Sequence, residues 1–565
     1  MNSVTTSLRP AVDEVMERVE RLMTVDRPRY RRLWAYCRNP MRTSIVIDES
    51  GSEKPYVQAQ EWGLPSRITG IKSGGDVFEG ELIDGVARKE VVIENDIGWR
   101  VDTMVDYLFG KSIVIESRAK DPARKEQIGE LLRLILGHNG GILFLQQLAL
   151  LGSVYGFVDV LVKLADGGEE VAGVCGTAAL GQPPAATGSG EGRTGSESAS
   201  ADGEAASPEG EVSAPVAEEA SHIDEQSQTR DARNFSPEAL ERLARLVRLE
   251  IIEPARALPF LCSEDWKRVH AYGQCWEVRG DGPEFRVQGS GRNGLWGRAR
   301  KGVARWLGRN GVPVRSGGEE KSVMVELIAG DRWWRLRDGQ VVAEGENSLG
   351  RIPLVHVQNT AVPFEYSGAG DVEPLLPLQD ELNIRLSDRA SRITLQSFKM
   401  YLGKGIEGFT RLPVAPGRMW ATENEQADVI EFGGDANCPS EDAHISDMRE
   451  AMDKTSGVTP IAAGAIKGRI GHLTSAAALR ITLQALLSKT EKKRTTYGAA
   501  IEQMCELALA WLDRAGVFKT EPAERRVEIH WPSPLPENLM DRLDEAEAKL
   551  RVGVSQDVVL RELGY

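Results

Sequence analysis

The sequence predicts an α+β fold in which helical segments flank a β-rich region. Residues 246–357 contain short segments of alternating apolar and polar residues separated by turn residues, and this pattern predicts an antiparallel sheet. Apolar residues recur at helical spacing on both sides of that region, first in residues 10–24. The longest helical segment follows the sheet. Ser475 to Trp511 has no proline and would span about 55 Å at about 1.5 Å per residue.

The composition is typical of a large folded protein with an acidic balance of charge. The chain has 565 residues, enough for several domains or one large multi-part subunit, and 41% of them are hydrophobic. Its net charge of -15 argues against a protein whose whole surface binds nucleic acid, because phosphate binding requires a basic footprint. The charge is compatible with a protein that lets DNA slide past with little adhesion.

The first part of the chain is predicted to alternate between helices and turn-rich segments. Residues 26–40 combine arginines with aromatic residues that could stack on bases, but a helix with its aromatic side chains packed inward is the simpler interpretation. Strands are predicted at 44–47 and at 89–94, where the sequence reads KEVVIE. A helix follows and is expected to end at Gly110 in a left-handed cap, before a strand at 112–117.

An amphipathic helix is predicted at 122–137, and the apolar stretch at 141–164 has the length of a membrane span. Gln146, Gln147 and Asp159 interrupt this stretch. We therefore interpret it as a buried helix that leads into a strand.

The six cysteines contain no C-x-x-C pair, which fits a reducing compartment and gives no zinc signature. The N-terminus shows no apolar signal core.

Two segments differ from the rest of the chain in composition. Residues 166–234 are rich in Gly, Ala, Ser and Glu and cannot bury enough apolar area to offset the entropy of ordering. They are predicted to form a disordered acidic insertion inside one domain, because strand-like sequence resumes at residue 246. Residues 290–318 are basic and include Trp296 and Trp306. A solvated basic helix, or contact with an acidic neighbouring subunit, is the simplest interpretation; base stacking or a membrane interface is the alternative.

After the sheet, two helices with a strand-and-turn segment between them are predicted. The first helix runs from about Glu373 to Tyr401, and its apolar positions spread around the axis as in a helix packed against several neighbours. Strands and turns are expected at 403–436. The second helix covers 439–456, with Ser440 as its N-cap.

A glycine-rich loop with several cations, residues 457–472, connects this second helix to the long one. Thr474 or Ser475 is expected to cap the start of the long helix. The remaining sequence predicts a strand at 525–531, a helix after Pro536 and a short final helix.

No signature of catalysis or cofactor binding is present in the sequence. The segment at 464–471 contains glycines and cations but lacks the lysine–hydroxyl pair of a phosphate-binding loop. No G-x-S-x-G or H-E-x-x-H motif occurs, and the seven histidines are isolated from one another. We therefore predict a protein that is not an enzyme and that holds no metal or cofactor.

Several groups of residues occur in an order and spacing that match one family. They are Asn95 with Val101-Asp102-Thr103 and Tyr107 to Ile113; Asn139 with Val154-Tyr155-Gly156; Asn347 to Val355 with Asp380 and Asn383; Thr474 to Leu479 with Lys489 to Arg494; and the closing segment 552–564. Together they resemble the portal proteins, or head-to-tail connectors, of tailed double-stranded DNA bacteriophages of the long-tailed type. Ser112 stands where that family usually has proline.

The resemblance implies a ring of usually about twelve subunits at one capsid vertex, with closed head-to-tail interfaces. DNA would pass through its channel during packaging and ejection. The implied partners are the terminase large subunit and the capsid, scaffold and head-completion proteins, without a membrane. The implied location is the virion, after assembly in the host cytoplasm.

The resemblance also implies a portal fold with named regions. These are the helical part of the wing (1–165), the acidic insertion (166–235), the β-rich part of the wing with its basic insert (236–365), two stem helices (366–402 and 437–456), the clip between them (403–436), the tunnel loop (457–472), the long helix of the inner wing and crown (473–515), and a wing strand with crown helices (516–565).

The implied contacts with DNA fall on the tunnel loop and the clip. Cations on a loop can touch the DNA backbone without reading sequence, because phosphate contacts carry no base information. The expected tunnel-loop residues are Lys467, Arg469 and His472, and the expected clip residues are Lys404, Arg411 and Arg418. A DNA nuclease or packaging ATPase would need an acid cluster or a phosphate loop that the sequence lacks. The other alternative is a scaffold or membrane-associated protein that uses the basic tryptophan segment 292–309.

Overall fold

The computed structural model of the chain confirms a mixed α+β protein. It describes residues 10–47, 53–73, 80–82, 88–164, 235–279, 321–396, 400–406, 423–432, 437–464, 480–535 and 539–563. The predicted acidic insertion at 166–234 and the basic insert at 290–318 lie outside these residues.

The N-terminal part begins with a long helical rod followed by short antiparallel strand pairs. The rod consists of α1 (Val12–Arg21), a π-helical segment (Leu22–Asp26) and α2 (Arg27–Arg38). The strand pairs are β1 (Met41–Ile47) with β2 (Glu53–Gln58), and, after the short α3 (Ser66–Thr69), β3 (Ile71–Ser73) with β4 (Gly80–Leu82). The aromatic residues of α2 do pack inward, since Tyr30 and Tyr36 are buried.

A second group of elements contains the apolar stretch of the sequence. Its elements are α4 (Asp96–Phe109), β5 (Val114–Ser117), α5 (Pro122–His138), α6 (Ile142–Tyr155) and β6 (Phe157–Leu164). The prediction of a buried helix that leads into a strand is confirmed for α6 and β6. Among the described residues no single helix is long and apolar enough to cross a membrane, and only the pair α5–α6, bent by 66°, meets that test together.

Two predictions in this part are wrong for the same reason. In both places a side chain from an element distant in the sequence makes a hydrogen bond with a backbone N–H or C=O group. Gly110 ends α4 but keeps right-handed dihedral angles (φ -74°), because the amide of Gln146 donates to the carbonyl of Phe109 at 3.1 Å and a left-handed cap is not needed. The segment 89–94 is not a strand. There the N–H of Val92 donates to Ser387 Oγ at 3.0 Å, so a helix side chain replaces a neighbouring strand.

The β-rich region forms antiparallel strands, as its alternating pattern predicts, but they divide between two sheets instead of one. A five-stranded sheet has the order β12-β11-β10-β9-β8, and a three-stranded sheet has the order β13-β6-β7. The elements are α7 (Pro237–Leu246), β7 (Val247–Ile252), β8 (Ala257–Cys262), β9 (Asp265–Arg279), β10 (Lys321–Ala329), β11 (Arg332–Arg337), β12 (Gln340–Glu346) and β13 (Leu354–Gln358).

The segments on either side of residues 165–234 belong to one sheet. Strand β6 pairs with β7 from Asp159 opposite Ile252 to Leu164 opposite Val247. Asn139 strengthens this junction, because its amide donates to the carbonyl of Val247 and its oxygen accepts from the N–H of Leu249.

The C-terminal half is dominated by helices. A 3-10 turn (Glu373–Leu375) leads into α8 (Leu376–Gln396), and later elements are β14 (Met400–Lys404), β15 (Asp428–Phe432), α9 (Pro439–Ser456), a 3-10 turn (Pro460–Ala463), α10 (Gln484–Arg514), β16 (Val527–His530), α11 (Leu539–Arg551) and α12 (Gln556–Leu563).

Three boundaries in this half differ from the prediction. Helix α8 is described as far as Gln396, and Tyr401, where the helix was predicted to end, pairs in β14 with Glu431 of β15. The N-cap of α9 is Cys438 and not Ser440, since Pro439 takes the first helical position, for which its fixed φ is suited. The long helix is interrupted at the buried Leu483, and the caps expected at 474–475 lie outside the described residues.

Two large hydrophobic cores hold these elements together. One joins the N-terminal rod to the five-stranded sheet and to α8 and α9. The other surrounds α10 and includes α5, α6 and the three-stranded sheet. Helix α10 therefore lies in the interior, and its Trp511 donates to the carbonyl of Val162 at 2.7 Å.

Candidate functional site

Helices α8 and α9 form an antiparallel pair held by polar contacts along its length. Glu381 Oε1 lies 3.1 Å from His444 Nε2, Arg389 binds Asp442 at 3.0 Å, and Arg392 binds Glu441. Residue numbers rise along α8 as their partners' numbers fall along α9, which shows the opposite directions of the two helices.

The exposed face of α9 is acidic. Asp442, Asp447 and Glu450 are exposed, and they lie within about 140° of one another around the helix axis. Lys454, on the same face, pairs with Glu450 at 2.9 Å. With Arg389 of α8, which pairs with Asp442, included, this face has three carboxylates against two cations and thus a small net negative charge.

The hairpin β14–β15 lies between α8 and α9 in the sequence, after the C-terminal end of α8 and before the N-terminal end of α9. Lys404 is exposed and stands opposite Asp428, while Leu402 stands opposite Ile430. In the described part of the hairpin, Lys404 is outnumbered by acidic residues. These residues therefore do not form a basic surface. The other two clip cations of the prediction, Arg411 and Arg418, lie outside the described residues.

The segment that follows α9 is anchored before it enters the glycine-rich loop. Gly457 ends α9 in the left-handed conformation (φ 71°), which glycine adopts without steric cost. The next residue, Val458, is buried against Met104 of α4 and Leu486 of α10. The start of the glycine-rich loop is therefore fixed by contacts with α4 and α10.

The three tunnel-loop residues of the prediction, Lys467, Arg469 and His472, lie outside the described residues. The structure describes the chain up to Gly464 and again from Arg480. Both roots of the intervening segment are therefore defined, and the three side chains are not placed.

A buried cluster of charges lies beside this loop root. The carboxylate of Asp371, in the segment before α8, binds Lys489 at 2.8 Å and also binds Lys493. Lys493 has a side-chain exposure of only 2%, and its ammonium also donates to Ser153 Oγ at 2.9 Å. Asn359 completes the cluster by donating to Asp371 at 3.3 Å.

Opposing electrostatic effects act on this cluster. Burial alone would raise the pKa of Asp371, but the charges of Lys493 and Lys489 outweigh it and hold that pKa below its ordinary value. Burial lowers the pKa of Lys493, and the neighbouring Asp371 carboxylate opposes this effect.

The sequence holds a partial signal for this cluster that the prediction missed. Lys493 stands in a stripe of buried residues on α10 at a spacing of three and four, between Leu486 and Tyr497. A lysine in such a stripe needs a buried counter-ion. Its partner Asp371 is 122 residues away in the sequence, so the pairing itself could not be inferred.

A second buried network contains residues that carried the family resemblance. The amide of Asn383 on α8 donates to Gln60 at 2.9 Å, and the amide of Gln60 donates to Asn95 at 2.8 Å. Asn95 in turn caps α4 by accepting from the N–H of Gly98. Asp380 on α8 accepts from the hydroxyl of Tyr36. These contacts join α8 to the N-terminal part of the chain.

Gly156, another residue of the resemblance, is required by close packing. A Cβ atom there would lie 2.2 Å from the carbonyl oxygen of Gly368, and the residue has φ 92°. Both facts exclude a larger side chain without backbone movement.

One cluster has the components of a catalytic acid–histidine pair but not the arrangement. Asp159 lies 2.7 Å from His356 Nδ1, and the other ring nitrogen meets the carbonyl of Tyr366 at 2.8 Å. The hydroxyls of Tyr272 and Tyr366 both donate to Asp159. Each group is thus engaged in holding the sheet to the loop after β13. Across the part of the chain that the structure describes, no group of His, Cys, Asp and Glu side chains is arranged to hold a metal ion.

Comparison with known proteins gives one family and no curated relative. A search of curated proteins found no match. Residues 330–563 match the family model described as phage portal protein, SPP1 Gp6-like. The matched region runs from β11 to α12 and contains α8, the hairpin, α9, the loop and α10, whereas the groups at Asn95 and Asn139 lie before it. Over this region the chain is similar to the SPP1 Gp6-like portal family, and the match supports a phage portal protein.

Proposed function

We propose that this chain is one subunit of a ring-shaped portal of a long-tailed phage, through which viral DNA is packaged and later ejected. The observation that carries the proposal is the family match over 330–563, because it covers the helix pair, the hairpin and the loop root as one continuous region. The portal family is generally structural, which agrees with a protein that performs no catalysis.

In this proposal, α8 and α9 are the stem, the hairpin region 403–436 is the clip, and the segment 457–472 is the tunnel loop. The remaining elements form the wing and crown: residues 1–165 and 236–365 in the wing, 473–515 as the long helix, and 516–565 in the wing and crown. The clip would meet the terminase motor first and head-completion proteins afterwards.

The acidic exposed face of α9 supports a channel wall along which DNA slides. Like charges repel, so a wall with a net negative charge does not bind the phosphates that pass it. Within such a channel, Lys467, Arg469 and His472 would make the few transient contacts with the DNA backbone. Lys404, Arg411 and Arg418 would be the corresponding cations of the clip.

The oligomeric state of the purified protein tests this proposal. Negative-stain microscopy is expected to show rings with a central hole, and light scattering a mass of about twelve times 61.9 kDa. A well-folded monomer that forms no rings at any concentration would contradict a portal. Binding of that monomer to liposomes would favour the membrane-associated scaffold instead.

A further inference from the structure

Three charged side chains meet at a junction of three parts of the chain. Asp371 precedes α8, and Lys489 and Lys493 lie one turn apart on α10. The Asp371 and Lys493 side chains are nearly inaccessible, with exposures of 8% and 2%. Because removing a partner from a buried charge is costly, this cluster resists any shift of α10 relative to the segment before α8.

Lys489 differs from Lys493 in having a contact outside the cluster. Its ammonium donates to the carbonyl oxygen of Ser456 at 2.8 Å while it binds Asp371. Ser456 is the last residue of α9. The final carbonyls of a helix have no partner within the helix and carry partial negative charge, so an ammonium group is favourable there.

We propose that Lys489 is a latch that ties the end of α9 to α10 and to Asp371, and thereby holds the segment 457–464 in place. A displacement of this segment that carries the end of α9 with it would have to break the Lys489–Ser456 contact or move α10. The latch couples α9 to α10. This inference goes beyond the proposed channel role because it does not depend on what the loop contacts.

The charges of the cluster make a selective test possible. Asp371 carries one negative charge between two lysines, so the replacement Lys489→Met leaves the balanced pair of Asp371 and Lys493. Lys489 is also more exposed than Lys493, at 22%. The variant is therefore expected to fold, whereas Asp371→Asn leaves the buried Lys493 ammonium without its carboxylate.

Hydrogen exchange of the full-length protein measures the latch directly. The amides of Gly457 and Val458 donate to Asp453 O and Ser456 Oγ, and those of Ala462 and Gly464 donate within the segment. In Lys489→Met, exchange at these amides is expected to rise by about tenfold, the effect of removing one hydrogen bond to a charged group. Lys489→Arg, which keeps the charge, is expected to restore most of the protection.

The matched control is Lys492→Met, because Lys492 is exposed on the same helix. It is expected to leave exchange in 457–464 unchanged. Unchanged exchange in Lys489→Met would overturn the latch. A rise spread evenly over α10 and the sheets would overturn it too, since Lys489 would then act only on global stability. Neither result depends on ring formation, so failure of the latch and failure of the portal proposal are separate outcomes.

Discussion

The side-chain amide of Asn383 donates a hydrogen bond to Oε1 of Gln60 at 2.9 Å, and both residues are completely buried. The two residues are 323 positions apart in the sequence. Asn383 also accepts from the amide of Gln379 and from the N–H of Glu94. Helix α8 is therefore fixed to the N-terminal part by a polar network. A shift of α8 along this part would be costly, because each group that lost its partner would be buried without a hydrogen bond.

Replacing Asn383 by alanine is expected to destabilise the protein by about 1–3 kcal/mol, the cost of leaving buried donors and acceptors without partners. Urea denaturation, with the same probe for both proteins, measures the change. Thr394→Ala, at an exposed position on the same helix, is the control and is expected to have little effect. Equal stability of the two variants would show that the network does not support α8.

The pair of Asp371 and Lys493 is expected to show strong energetic coupling. Asp371→Asn leaves the buried Lys493 ammonium without its carboxylate and should cost about 3–5 kcal/mol. Lys493→Met should cost less, because Asp371 keeps Lys489 as a partner. The double variant should cost less than the sum, because it removes both charges of the pair. Urea denaturation of all four proteins gives the coupling free energy. Additive effects would mean that the two charges do not stabilise each other.

The contribution of Asp371 to stability is expected to disappear in acid. The lysines hold its pKa below the ordinary value of 3.8, so the folded state keeps this carboxyl ionised to lower pH than the unfolded state does. The stabilisation is thus fully present above about pH 4 and is lost as the pH falls through the lowered pKa. Thermal melts of the wild type and Asp371→Asn between neutral pH and about pH 2 should converge as the acid is increased. A constant difference over this range would contradict the pairing.

Lys467 and Arg469 are expected to contact DNA phosphates. Replacing both by alanine should leave ring assembly intact and weaken binding of the isolated ring to DNA. The dependence of log affinity on log salt should become shallower by about one for each phosphate that the variant no longer binds. Fluorescence anisotropy with a duplex over a salt series measures the slope. Lys120→Ala, at an exposed position between β5 and α5, is the control, and the same slope in both variants would exclude the proposed interaction.

Residues 166–234 are expected to be dispensable for folding. Strands β6 and β7 pair directly across this segment, so replacing residues 170–230 with a short Gly-Ser linker should leave both cores complete. The thermal midpoint is expected to change by no more than about 2 °C. Removal of α7 is the comparison, because α7 supplies the buried Leu240 and Ala244 and its removal should lower the midpoint. A large drop in stability in the linker variant would contradict the prediction of a dispensable insertion.

Most of the elements could be predicted from local pattern, and several of the errors lie where distant groups compete with that pattern. The alternation in 246–357 predicted the antiparallel strands because alternate side chains face a core. The prediction of a strand at 89–94 was wrong because Ser387 and Asn383 of α8 accept hydrogen bonds from backbone N–H groups of this segment. The predicted end of α8 at Tyr401 was wrong because pairing with β15 overrides local helix propensity.

The sequence by itself determined the fold class, the order of most helices and strands, and the resemblance to portal proteins, since these depend on periodicity and on the spacing of neighbouring residues. Only the tertiary structure decided that Lys493 is buried against Asp371, that Lys489 reaches Ser456, and that Asn383 meets Gln60. Such contacts join residues far apart in the chain, and a buried polar group is stable only where the whole fold brings its partner to it.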